Sequence, residues 1–591
     1  MAAKRRRAVG AAVVAASLAA SALLSAAPDQ CNDCLWARYW PTTQPATACQ
    51  TKNVPCFPET DALKDGTSLG IAFSGGGTRS ASMALGQMRG LQKIGVLGKV
   101  RYVSAVSGGS WAAVPFVYTK LPVDEFLGSY QEPRDLDVQK VIEEPAGALG
   151  KAITESSLTA GSVREVLGDV SARITPQLGQ QILTSIRDGL DSRLRRESGR
   201  LDKTYSRLIG SRFIDPLIDV GTTASGRLFS WDQDAVADIG RLTNGQLGDD
   251  FVMVPQGRPF LIANGTLIAS RADYAYPVLL PVEYTPLYVG VRPRLGSRFG
   301  GTYVSPWAYD ARRIVEVNER DHLVRVERDP ARVFTLGDVV GSSGAAPQLQ
   351  LILGTFAPAA LRARVEQAAT AFPAFRHLTV HEPAEGRNVL SEAVGHGDGG
   401  FGDNLGVAPL LARGVKNIIV FNNSNTVDVE NNNDFKSLFF PVGPPSGNGD
   451  KRFNVVFEAA RYRELIDALE ARKRAGKPLV YCNAEPWPVI ANDHFGIAAD
   501  PSGVHVCWFY NSKAPAWESA LPDQLRRVVN GEGGTKATGR FEGFPWLSTF
   551  YQNRTNIIRL TAAQVNLLSH LTGWIVAQES DELHQRLSIA Q

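Results

Sequence analysis

The stretch SLGIAFSGGGTRSASMALG, residues 68–86, decides how the rest of the chain is read. Its apolar run, Leu69 to Phe73, has the length and composition of a short buried strand. Three glycines follow, Gly75 to Gly77, and then apolar residues recur near the helical period until Gly95. Strand, glycine turn and helix in that order bring backbone N–H groups together without Cβ clashes. Further on, VRYVSAV (100–106) reads as a second strand and GGSWAAVPFVYT (108–119) as a second helix. Alternating strands and helices predict a parallel sheet and the α/β class.

The second decisive stretch is SAVSGGSW, residues 104–111. Ser107 follows a strand and precedes Gly108 and Gly109. A nucleophilic serine is commonly held on such a strand–turn–helix elbow, with small residues two before and two after it. Those places hold Ala105 and Gly109, so the pattern is A-x-S-x-G, a departure from G-x-S-x-G. Acyl transfer from a serine creates an oxyanion. Convergent amides stabilise it, and loss of one donor typically costs about 3–4 kcal/mol. A phosphate loop is the rival reading of SGGGTRS, but the stretch lacks the G-K-[ST] ending, which excludes an NTPase of that kind.

Together, SGGGTRS and SAVSGGSW resemble the paired motifs of the patatin-like acyl hydrolases, closest to the cytosolic phospholipase A2 and lysophospholipase (phospholipase B) branch. That family uses a Ser–Asp dyad, with the aspartate on a D-x-G loop and an asparagine six residues further on. The matching stretch is GHGDGGFGDNLGVAPLL, with Asp398 and Asn404. Asp403 is a nearby alternative whose spacing to Asn404 does not match. Weaker similarities are VEYTPLYVG (282–290), GSSGAAP (341–347), YSRLIGSRFIDP (205–216) and STFYQNRTN (548–556). They extend the resemblance discontinuously over about residues 65–575.

The resemblance implies a three-layer α/β/α fold of the patatin or cytosolic-phospholipase type, with helical insertions. It implies Ser107 as nucleophile, Asp398 as base, and Gly75, Gly76 and Gly77 as oxyanion donors. It places Arg79 on a substrate phosphate and Gly108 beside the substrate. No cofactor or metal is implied. The expected substrate is a phospholipid or lysophospholipid ester met at a membrane surface or micelle. No nucleic acid or obligate protein partner is expected.

The remainder of the chain bounds this reading. Its 591 residues are 44% hydrophobic and 20% charged, as for a globular protein with a substantial core. Residues 1–27 carry Lys4 and Arg5–Arg7, an Ala-rich apolar run and small residues before Ala27. That is the layout of a cleaved export signal, with an uncleaved membrane anchor as the alternative. Removing its four basic residues takes the formal charge from +3 to about −1, so no anionic partner is inferred. The protein is expected to be periplasmic or secreted. Residues 28–66 read as a Cys-rich extension, residues 67–591 as the catalytic domain, and about 130–250 as a helical cap or insertion.

Within that cap, ILTSIRDGLDSRLRR (182–196) carries an apolar stripe suited to core packing or to a membrane face. Six cysteines in an exported chain suggest disulfides, with Cys482–Cys507 as one pair and Cys31, Cys34, Cys49 and Cys56 paired among themselves. Two alternatives stay open. One is a lipid esterase with a His-containing triad, for which His396, two residues before Asp398, is the best-placed base. The other is an inactive lipid- or partner-binding protein on the same scaffold.

Overall fold

The computed structural model describes most of residues 31–589; outside the description lie 1–30, 43–56, 156–202, 270–277, 293–299, 349–371, 381–390, 444–450, 548–559 and a few shorter stretches. Residues 1–27, read above as an export signal, Cys49, Cys56 and the 182–196 and 548–556 segments fall outside the described residues.

The strands that build the main sheet are β1 (Cys34–Pro41), β2 (Leu69–Phe73), β3 (Tyr102–Val106), β4 (Phe260–Ala269), β5 (Val278–Tyr284), β6 (Val289–Val291) and β7 (Thr302–Val304). They continue with β8 (Arg313–Asn318), β9 (Leu323–Glu327), β10 (Ala374–Arg376), β11 (Ala393–Asp398), β12 (Asn417–Asn422), β13 (Val480–Cys482) and β14 (Asp500–Tyr510). The helices that matter to the site are α1 (Gly77–Lys93), α2 (Gly108–Tyr118), α3 (Thr204–Phe213), α4 (Leu336–Ser343), α5 (Ala408–Ala412), α6 (Asn433–Ser437) and α7 (Ala562–Gln578).

Strand order across the sheet is β8-β9-β1-β7-β6-β5-β4-β3-β2-β12-β14-β13. The centre, β4-β3-β2-β12-β14, is parallel throughout. The strand–helix–strand–helix reading of residues 68–119 therefore corresponds to two parallel neighbours joined through α1. Antiparallel strands extend both sides. β11 pairs antiparallel with β4, which puts Asp398 opposite Gly265.

Every residue of β2 and β3 is buried. Alternate side chains feed two separate cores. Ile71 and Phe73 join Leu85, Met88, Phe116 and Leu567 on one face. Ala72 and Tyr102 join Leu410, Leu411, Leu465 and Leu469 on the other. Helices thus cover both faces, the three-layer arrangement that a parallel sheet requires. α1 and α7 cross closely because Gly86 and Gly90 stand where a Cβ would press on the Ser569 and Gly573 carbonyls. α7 starts with a capping box between Thr561 and Gln564.

The segment read as an N-terminal extension is built into the sheet: β1 pairs with β9 and with β7. Further along that segment, Glu59 is fully buried and ion-paired to Arg413, just past α5. Read by its Pro, Thr and Cys content that segment is an extension, yet burial alternates regularly along CLWARYWP, as in a strand with one face covered. Disulfides join Cys31 to Cys34 and Cys482 to Cys507, the latter across paired positions of β13 and β14. Among the described residues no helix is long and apolar enough to cross a membrane.

Candidate active site

The candidate nucleophile sits where β3 turns into α2. Ser107 has φ 52° and ψ −123°, a strained conformation for a residue with a side chain. Small residues let the elbow close. A Cβ on Gly108 would overlap the Gly77 carbonyl, and one on Gly109 would lie 2.7 Å from Phe73 O. The glycine loop and the serine elbow are therefore in direct backbone contact. The Ser107 N–H donates to Ser343 Oγ at 3.0 Å, and Ser343 Oγ donates to Asn264 O at 2.7 Å. These bonds hold the turn from α4 and β4.

Asp398 ends β11, and its Oδ2 lies 2.6 Å from Ser107 Oγ. Its Oδ1 accepts the Gly400 N–H at 2.8 Å, and its carbonyl accepts Thr266 Oγ at 2.9 Å. Serine and aspartate are 7% and 5% exposed. Burial pushes the Asp398 carboxyl up to about 6, against the opposing pull of Ser107, Gly400 and the Lys451 charge. A carboxylate in that range suits a general base working near neutrality.

The three glycines of the loop differ in how their amides are disposed. Gly75 N–H is committed to Asn404 O at 3.0 Å. Gly76 and Gly77 have φ of 142° and 60°, which only glycine adopts without strain. Gly77 opens α1, so its N–H has no intrahelical acceptor and lies at the positive end of the helix.

Arg79 is 5% exposed. Its Nε donates to Asn423 O at 3.0 Å and its Nη1 to Leu547 O at 2.8 Å. A Cβ on Gly76 would lie 2.5 Å from Nη2, so the guanidinium lies directly against the loop. Burial lowers its pKa to about 10, which leaves it a cation at neutral pH.

Asp403 caps a turn, accepting the Leu405 and Ala408 N–H groups at 3.0 and 2.8 Å. His396 is fully buried, and its Nδ1 and Nε2 meet the Tyr284 and Tyr309 hydroxyls at 2.7 and 3.1 Å. Burial drops its pKa to about 3, and both nitrogens are occupied away from Ser107. Sequence reasoning did not single out Ser343, Asn264 or Thr266. GSSGAAP was a motif resemblance only, and its serine bonds Ser107 across 236 positions.

No family model matches this chain, and no curated protein matches it. Among solved structures, human GIVD cytosolic phospholipase A2 aligns at 14% identity and a TM-score of 0.43, over 92% of this chain and 65% of that one. The same human protein in complex with methyl gamma-linolenyl fluorophosphonate aligns at 15% identity and a TM-score of 0.38, over 92% and 62%. This chain thus spans slightly less than two thirds of those proteins. At such identities and TM-scores, the functional reading is carried by the site's own geometry.

Proposed function

We propose that this chain is an exported serine acyl hydrolase that cleaves carboxylic ester bonds of phospholipids or lysophospholipids. The observation that carries the reading is the 2.6 Å bond from Ser107 Oγ to a buried carboxylate, against a backbone loop of three glycines. In the first half-reaction Ser107 Oγ attacks the ester carbonyl and its proton passes to Asp398. The resulting oxyanion faces the Gly76 and Gly77 amides. Collapse expels the alcohol, which takes the proton from Asp398, and leaves an acyl-Ser107 ester. In the second, Asp398 deprotonates water, which attacks that ester; the fatty acid leaves and the proton returns to Ser107. Tyrosine bonds on both His396 nitrogens argue against a histidine base. Gly108, whose N–H follows the nucleophile, borders the acyl group.

The position of Arg79 supports a positioning task under the glycine loop over direct contact with a phosphate. Two disulfides support export, since such bridges persist in oxidising compartments. The reading is tested by incubating protein from residue 28 onward with lysophospholipid and with monoacylglycerol and quantifying free fatty acid. Release from lysophospholipid that is absent in Ser107→Ala supports it. Release from the acylglycerol alone would redirect the substrate, and release from neither would remove the hydrolase reading.

A further inference from the structure

Asn404 is the hub between the base loop and the glycine loop. Its carbonyl accepts the Gly75 N–H at 3.0 Å. Its Oδ1 fills the space that side chains at Gly75 and Gly400 would take. Its Nδ2 donates to Asp434 Oδ2 at 2.7 Å. Because a carboxylate only accepts, this bond fixes which end of the amide faces which way. Asp434, on α6, is itself ion-paired through Oδ1 to Lys451, with side chains 15% and 10% exposed. The same turn returns Asn454, whose Nδ2 donates to Gly402 O at 2.8 Å. None of these contacts involves the reacting atoms, yet together they join a third loop to both halves of the site.

We propose that Lys451 and Asp434 form a charged strut that positions Asn404, and through it the glycine loop and the base loop, for the Ser107–Asp398 reaction. The proposal rests on the hydrolase reading above. A neutral or apolar residue at 451 would leave the half-buried carboxylate at 434 without its counter-ion, which is costly. The Asn404 amide would then lose its fixed partner. The strut also has an electrostatic side. The groups acting on Asp398 are Ser107, the Gly400 amide and the Lys451 cation. Tyr205, neutral at ordinary pH, senses its charge, and Asp403 faces the same lysine. Lys451 favours the ionised form of Asp398, and Asp434 damps that influence.

Opposite charge changes therefore have opposite signatures. The test follows kcat/KM against pH on a phosphate-free p-nitrophenyl ester, with fluorophosphonate labelling of Ser107 run alongside. Lys451→Met is expected to lower kcat about 10–100-fold, with KM little changed, and to move the acid limb to higher pH. Lys451→Arg restores both. Asp434→Asn keeps an acceptor for Asn404 but leaves Lys451 unopposed, so its acid limb moves to lower pH. If Lys451→Met fails to fold, Asp434→Asn carries the test alone. Acid limbs that stay put, or that move the same way in both variants, overturn the strut. A wild type that fails to label at Ser107 removes the hydrolase reading and the strut together, whereas a labelled wild type with unmoved variants removes the strut alone.

Discussion

Ser107 and Asp398 place opposite demands on activity and stability. The Asp398 carboxyl, raised by burial to about 6 from 3.8, binds its proton more tightly in the folded chain than in the unfolded one. Native-state protonation therefore stabilises the fold, and that benefit is lost as pH rises through the interval from about 4 to 6. Above it the ionised group is a liability of about 1–3 kcal/mol. Two outcomes are expected. kcat/KM should fall as pH drops through about 6, because the base becomes protonated; a profile flat from pH 5 to 8 would contradict this. Asp398→Asn should lose about 10²–10⁴-fold in rate while raising the neutral-pH Tm; a lowered Tm would count against a strained, desolvated base. Arg79 makes a further residue-scale case. Arg79→Lys should depress kcat by similar factors on a phosphate-free ester and on a lysophospholipid. A loss confined to the phospholipid would return the guanidinium to a substrate phosphate.

At the scale of elements, the glycines in and just after α1 divide by what surrounds them. A Cβ on Gly86 would overlap Ser569 O of α7, whereas one on Gly98, just beyond α1, meets nothing within 4 Å. Gly86→Ala should cost about 1–3 kcal/mol in urea unfolding, and Gly98→Ala almost nothing; equal stabilities would show that the helix crossing is not close-packed. The elements most legible in the sequence are those with unbroken local signals. β2, the glycine turn, α1, β3 and α2 were all readable, since strand, turn and helix each occupy consecutive residues. Ser107 and Asp398 could be named as candidates because their motifs are also local. Ser343, Asn264, Asp434 and Lys451 were not legible, because each joins the site through a contact between distant segments. β1 was missed because its partners β7 and β9 lie more than 250 residues away.

Across the whole molecule, the N-terminal segment is tied to the central sheet and α5 by buried charge. Arg413 is bonded to Glu59 Oε1 at 2.7 Å and to Glu283 Oε2 at 2.7 Å, all three nearly inaccessible. Burial opposes its charge, yet Glu283, Tyr288 and Glu59 hold its proton far above the ordinary arginine range. Arg413→Met would leave two carboxylates buried without a counter-ion and should destabilise the protein by about 3–5 kcal/mol, read as a lowered urea midpoint. An unchanged midpoint would mean that Glu59 and its segment are dispensable to the fold. The cluster also gives a physical reason why residues 57–60 pack with the sheet and α5, although composition alone sets them apart.

The central claim is that Ser107 is a nucleophile activated by Asp398. The direct measurement is fluorophosphonate labelling of protein from residue 28 onward, with the modified residue located by mass spectrometry in wild type, Ser107→Ala and Asp398→Asn. A single adduct on Ser107 is expected in the wild type, absent from Ser107→Ala and formed at least about 100-fold more slowly in Asp398→Asn. Folded wild type that takes no label, or labelling of Ser107 at an equal rate without Asp398, would contradict the account.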